Sequence, residues 1–188
     1  MIYPDKEFYI VVDIEASGPS PDQYAMLSFG AATLSQPLAT FYRELQPDSD
    51  LVQEDALKIS GLSLADLRIN GVSPKVALQE FADWVKQVTP ENKYPIFTAF
   101  NAPFDWMFMN TYLHRYLSYN PFGHKALDIK ALFMGYHKVP FLDTSHHQIC
   151  SHFGITSLLT HHALEDAVQE AQLLNKLLQE IFISEERK

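Results

Sequence analysis

Asp13 and Glu15 stand one residue apart in the stretch "FYIVVDIEASGPSPD", where an apolar run that reads as a buried strand meets two acids. Side chains at i and i+2 of a strand share a face, so the two carboxylates point the same way, about 6 to 7 Å apart along the strand. Half-buried, such a repulsive pair is costly unless a cation lies between the two, and hard divalent ions prefer oxygen ligands of this kind. The alternative is a strand that stops at Asp13 and leaves both acids solvated. A third acid, Asp105 in "FNAPFDWMF", follows an apolar strand at the start of a helix, where a sheet fold presents residues at its edge crevice. An acid in a first helical turn is also favoured by the helix dipole alone. The fourth piece is "LTHHALEDAVQEAQ", in which His161 precedes Asp166 by five positions. On one continuous helix that spacing turns the two about 140° apart, so they converge only if His161 sits in a loop before the helix. The lack of helical pattern before Ala163 permits this. Taken singly, His161 and Asp166 read as solvated groups, and so do Glu165 and Glu170.

The elements that must position these residues follow from periodicity. Three strands open the chain: "FYIVVDIEA" from Phe8, "AMLSFGAATL" from Ala25 and "ATFYRELQP" from Ala39. Turn chemistry at Gly18, Pro19 and Pro21, and around Ser35 to Pro37, separates them, and the short connections predict an antiparallel meander. Ser73 and Pro74 start a helix that carries Ala77, Phe81, Trp84, Val85 and Val88 at helical spacing, and Gly61 ends a shorter helix before it. The strand "PIFTAF" from Pro95 then feeds a helix in "APFDWMFMNTYLHRYL", and a short strand "ALDIK" from Ala126 precedes more helix. From about Ala163 to Phe182, the stripe Leu164, Val168, Ala171, Leu174, Leu178 and Ile181 marks a long amphipathic helix. Strands first, then strands alternating with helices, predict an α/β fold whose mixed sheet is covered by helices. With no internal repeat or linker, residues 1–188 are expected to form a single domain.

Composition narrows the function classes. The chain has 188 residues, 47% of them hydrophobic and 13% aromatic, which suits a globular fold with a sizeable core. The single Cys150 forms no internal disulfide, and no leader or apolar run of about 20 residues is seen, so a cytoplasmic, non-membrane protein is expected. The net charge of −9 argues against a protein that coats long duplexes, because such binding rests on many Lys and Arg contacts to phosphates. It is compatible with an enzyme that grips only a strand end and recruits metal ions.

Together, "VVDIEASGP", "FNAPFDWMF" and "HHALEDA" resemble, in order and separation, the three motifs of the DEDDh family of 3′-to-5′ exonucleases, relatives of polymerase proofreading subunits. The first resembles D-x-E followed by small or hydroxyl residues and Gly, the second N-x-x-F-D, and the third H-x-A-x-x-D. The resemblance spans Phe8 to Leu178. It implies an RNase H-like mixed sheet, three antiparallel strands plus parallel strands, flanked by α-helices. It also implies that Asp13, Glu15, Asp105 and Asp166 bind two divalent ions, Mg²⁺ or Mn²⁺, and that His161 is the general base. His162 stands where a sister subclass carries Tyr, four residues before the last Asp. Ala16, Ser17 and Gly18 are expected near the terminal sugar and Asp128 in a structural role. The expected partner is the 3′ end of single-stranded RNA, DNA or a short oligonucleotide, with nucleoside 5′-monophosphates as products; several family members are dimers, so the resemblance admits a homodimer.

Two ions about 3.5 to 4 Å apart suit in-line displacement at phosphorus. Phe104, Trp106 and Phe108 around the second motif are candidates for stacking on a terminal base or, at helical spacing, for the core. Rival readings are a catalytically silent module of the same fold that binds nucleic-acid ends or proteins, and a hydrolase of another small phosphodiester. The silent module has no physical need for His161, since a proton acceptor serves reaction. Finally, "HHQICSHF" holds His146, His147, Cys150 and His152, with His146 and Cys150 at i and i+4, which suggests zinc; against this, paired knuckles are missing and Cys150 reads as a buried small hydrophobe.

Overall fold

The computed structural model describes residues 4–35, 37–156 and 159–183, so Gln36, inside the expected turn at Ser35 to Pro37, lies outside the described residues. The first three strands are β1 (Glu7–Ala16), β2 (Met26–Thr33) and β3 (Thr40–Glu44), and they form the expected antiparallel meander. Two short helices follow, α1 (Glu54–Ser60) and α2 (Leu64–Asn70), and Gly61 closes α1 in the left-handed conformation at φ 67°. The helix α3 (Pro74–Val88) begins on its proline, β4 (Tyr94–Ala99) pairs parallel to β1, and α4 (Ala102–Leu117) starts after two intervening residues, Phe100 and Asn101. The short β5 (Ala126–Asp128) pairs parallel to β4 and completes a five-stranded sheet of order β3-β2-β1-β4-β5. Helices α5 (Ile129–His137), α6 (His146–His152) and α7 (Ala163–Ile183) complete the chain. This is the mixed, helix-flanked sheet expected from the motif resemblance.

The strand "ALDIK" ends earlier than its apolar pattern suggests. Asp128 caps α5 by accepting a hydrogen bond from the Ala131 backbone N–H at 2.7 Å, so Ile129 and Lys130 belong to the helix. An N-cap carboxylate satisfies a donor that the first helical turn would otherwise leave unpaired, which explains why the strand stops there.

Alternation along β1 divides the core between the two faces of the sheet. Ile10, Val12, Ile14 and Ala16 join Leu78 and Phe81 of α3 and Phe108 and Met109 of α4. Tyr9 and Val11 join Ile129 and Phe133 of α5, Ile149 and Cys150 of α6, and Leu173, Leu174 and Leu177 of α7. In the first layer Phe29 and Phe81 pack edge to face with ring centroids 5.2 Å apart, the arrangement that aromatic quadrupoles favour. Strand parity places Asp13 and Glu15 with Tyr9 and Val11, on the face covered by α7.

Gly30 sets how closely α7 approaches. It pairs with Asp13 across the β1–β2 ladder, and a Cβ built on it would lie 2.4 Å from the backbone N and Cα of Leu164. The first turn of α7 therefore rests directly on the backbone of β2, a contact that any side chain at position 30 would obstruct.

Candidate active site

Parallel pairing of β1 with β4 ends at Val11 and Thr98, so the last residues of β1 continue beyond their parallel neighbour. Asp105 occupies that opening from the first turn of α4: its Oδ1 accepts a hydrogen bond from the Ile14 backbone N–H at 3.1 Å, and the residue is buried. A side-chain carboxylate thus substitutes for a strand at the C-terminal edge of the sheet, between the two side chains of Asp13 and Glu15 along the chain. Asn101, at φ 65°, turns the chain from β4 into α4.

The opposite wall comes from α7. Asp166 is buried in its first turn, where it accepts hydrogen bonds from the backbone N–H groups of Thr160 and His161, both at 2.9 Å, and from the Thr160 hydroxyl at 3.2 Å. The carboxylate therefore fixes the loop ahead of the helix. His161 lies in that loop with φ 54°, a conformation rare for residues with a side chain and of the kind found at functional sites. The turn redirects the ring, and Glu15, His161 and Asp166 each offer a ligand atom within 4.8 Å of the other two. His162 goes elsewhere: its ring stacks on Tyr42 of β3 at 4.6 Å between centroids, and its buried Nδ1 has no hydrogen-bond partner among the described residues.

The electrostatics are those of crowded acids. Burial raises Asp13 well above the ordinary carboxylate range, and the negative charges of Glu170, Asp105, Glu15 and Asp166 raise it further. Burial and then Asp166 push Glu15 up to about 7. Asp105 is also raised by burial, against the lowering effect of the Ile14 hydrogen bond. Among the described residues, no salt bridge to Lys or Arg engages Asp13, Glu15, Asp105, Asp166 or Glu170. An uncompensated set of oxygen donors with one imidazole fits hard divalent cations, whose charge would lower all of these proton affinities at once.

Glu170 corrects the expectation that it is solvated. It is 3% exposed, its carboxylate accepts a hydrogen bond from the Phe100 backbone N–H at 3.2 Å, and burial together with Asp105 raises its proton affinity. The signal was present in its spacing: Glu170 lies one helical turn after Asp166 and so shares its face. Glu165, by contrast, is exposed.

The end of β1 and the turn after it carry Ala16, Ser17 and Gly18, all buried. The Ser17 hydroxyl donates to the Leu51 carbonyl at 2.8 Å and accepts from the Ala25 backbone N–H at 2.9 Å, while Gln53 N–H donates to the Ser17 carbonyl at 2.8 Å. This serine ties the turn to the segment before α1. Gly18 lies against the Tyr24 ring. The aromatics of the second motif belong to the core: Phe108 is fully buried between Phe104 and Tyr112, and Trp106 packs edge-on against Phe97 at 5.1 Å. The histidine-rich segment does not converge on one point. His146 and Cys150 are buried together, with Sγ 3.6 Å from Nδ1, whereas His152 turns toward His137 and Glu180.

Comparison with known proteins agrees with this geometry. Residues 10–174 match the Exonuclease (RNase T) family. The chain is 39% identical over 169 residues to the 3′-5′ DNA exonuclease Cap18 of Escherichia coli, covering 90% of both proteins. In fold it resembles the nuclease domain of 3′hExo, a DEDDh family member solved bound to rAMP, with a TM-score of 0.78, 20% identity and 94% of each chain covered. It also resembles E. coli Exonuclease I in complex with a dT13 oligonucleotide, with a TM-score of 0.71 and 15% identity over 94% of this chain and 42% of that one. Three motifs that a mixed sheet gathers at one edge, and a family match that runs through all of them, make this chain a 3′-to-5′ exonuclease of the DEDDh family.

Proposed function

We propose that the chain, acting as one exonuclease domain, removes nucleotides from the 3′ end of single-stranded DNA and releases nucleoside 5′-monophosphates with Mg²⁺ or Mn²⁺ as cofactor. The observation that carries this reading is the convergence of Glu15, His161 and Asp166 beside Asp13 at the end of β1. DNA is favoured because the relative that shares 39% of its sequence is a DNA exonuclease. The solved structures, at 20% identity or less, support the fold and not the substrate.

Asp13, Glu15, Asp105 and Asp166 hold the ions, which when bound supply Lewis-acid stabilisation of the charge that builds on the phosphoryl and leaving oxygens. His161 accepts a proton from the attacking water, a task suited to imidazole near neutral pH. The water oxygen bonds to the terminal phosphorus, the bond to the preceding 3′ oxygen breaks, and that oxygen takes a proton from solvent, so the shortened strand ends in a 3′-hydroxyl. The turn Ala16 to Gly18 borders the terminal sugar through its backbone, since the Ser17 hydroxyl is already engaged.

The test compares 5′-labelled DNA and RNA oligonucleotides of matched sequence with Mg²⁺ or Mn²⁺, with a chelator and the Asp13→Ala variant as controls. Stepwise shortening of DNA from the 3′ end, abolished by both controls, is expected. Internal cuts, or turnover that survives Asp13→Ala, would overturn the mechanism; faster shortening of RNA would overturn the choice of substrate.

A further inference from the structure

Three helices end at one place remote from the carboxylate cluster. His137 is the last residue of α5, His152 the last of α6, and Glu180 lies in the final turn of α7. From Asp166 to Glu180 the helix advances fourteen positions, about 21 Å at 1.5 Å per residue, so this group is separate from the acids at the edge of the sheet. His137 Nε2 lies 3.3 Å from one Glu180 oxygen, and His152 Nε2 lies 3.6 Å from the other. The two imidazole rings are 4.4 Å apart, and each residue offers a ligand atom within 4.8 Å of the other two.

The 3.3 Å between His137 Nε2 and Glu180 is that of two ligands on a tetrahedral ion, and His152 Nε2, 3.6 Å from the other Glu180 oxygen, is within a small side-chain adjustment of it. Zn²⁺ with bonds of about 2.0 to 2.1 Å at tetrahedral angles places neighbouring ligand atoms roughly 3.3 to 3.4 Å apart. His137 Nε2 is buried and, among the described residues, has no hydrogen-bond partner, although a Glu180 oxygen lies 3.3 Å away. A lone pair aimed at a shared ion accounts for that arrangement, and a buried nitrogen left unsatisfied is otherwise costly. Phe133 packs against both rings, at 4.3 Å from His137 and 5.3 Å from His152, and holds them in place. Tyr136 donates to the Glu180 carbonyl at 3.0 Å and ties α5 to α7 at the same level. The carbonyl ends of three helices also place partial negative charge around the cluster, which favours a cation.

We propose that His137, His152 and Glu180 form a second metal site, specific for Zn²⁺ or a similar borderline transition-metal ion, that staples the C-terminal ends of α5, α6 and α7. Two imidazoles with one carboxylate distinguish it from the oxygen-rich catalytic cluster, which suits harder ions. Its fourth position opens on the exposed side of His152, where water completes the tetrahedron. The site holds helices together and takes no part in phosphodiester hydrolysis.

The experiment titrates chelator-stripped full chain with Zn²⁺ alone by calorimetry, and with Co²⁺ by visible absorption, where four-coordinate cobalt gives intense bands. It is run on the parent chain, on His137→Gln, His152→Gln and a His147→Gln control, and on a Glu15→Gln/Asp166→Asn double variant that disables the catalytic cluster. Retention of a Zn²⁺ equivalent and of the cobalt bands in the double variant is expected. Each of His137→Gln and His152→Gln should bind that equivalent at least tenfold more weakly and lose the Zn²⁺-dependent rise in Tm, with the control unchanged. His152 is at the surface, so its variant should keep full Mg²⁺-dependent turnover, which separates loss of metal from loss of fold. Zn²⁺ binding that disappears in the double variant, or that persists unchanged in both His137→Gln and His152→Gln, would overturn the proposal.

Discussion

At the scale of single residues, the two neighbouring histidines have opposite fates. His161 is turned by a positive φ toward Glu15 and Asp166, while His162 stacks on Tyr42. His161→Ala should lower kcat by 10² to 10⁴, the range for loss of a general base, and His162→Ala by less than about tenfold, measured at saturating Mg²⁺. Glu15 adds a dependence on pH. Its folded-state value of about 7 exceeds the 4.5 of a solvated glutamate, so the folded chain binds the proton more tightly than the unfolded one. Without metal, the Glu15 contribution to stability should therefore fall as pH rises from about 4.5 to 7, and the raised Asp13, Asp105 and Glu170 add to the loss, giving a lower Tm at pH 8 than at pH 6. Divalent-ion affinity should rise over the same window, with proton release on binding, which calorimetry in buffers of different ionisation enthalpy reads directly. The acids of the site were legible because D-x-E, N-x-x-F-D and H-x-A-x-x-D fix residue types at fixed spacings. Sequence alone reads Glu170 as solvated because a lone Glu on an amphipathic helix normally is; only the fold shows that its face meets Phe100 and the other acids.

At the scale of elements, the site depends on how closely α7 lies on β2, and Gly30 sets that distance. Gly30→Ala should destabilise the protein by about 1 to 3 kcal/mol through overpacking, a fall in Tm of about 2 to 4 °C for each kcal/mol. It should cost turnover more heavily, on the order of 10²-fold, because moving α7 carries Asp166 and the His161 loop away from β1. A Tm that drops while kcat holds would show that the loop adjusts independently of the helix. The elements themselves were largely readable: alternation gave the meander, Pro74 and Gly61 gave helix ends, and the 3.6-residue stripe gave α7. The end of β5 was not, since "ALDIK" is apolar enough for a strand and the decision rests on the cap that Asp128 makes to Ala131. Nor was the meeting of His137, His152 and Glu180 readable, because it arises where three helices end in space and follows no spacing in the chain.

At the scale of the whole molecule, a chain of net charge −9 must meet a polyanion. Its grip should involve few phosphates, so with three contacts the plot of log affinity against log salt should have a slope near −2, from about 0.7 per contact on a single strand. A much steeper slope would reveal a basic track not evident from composition. The two apolar layers carry a further consequence. Asp105 belongs to α4, which packs in one layer, and Asp166 to α7, which packs in the other, while Asp13 and Glu15 sit on the sheet between them. A cation shared by these side chains would thus cross-link two halves of the core that pack on opposite faces of the sheet, and it should govern cooperativity as well as turnover. With divalent ions, the calorimetric and van't Hoff enthalpies of unfolding should coincide; after chelation they should separate, as the two layers begin to melt on their own terms.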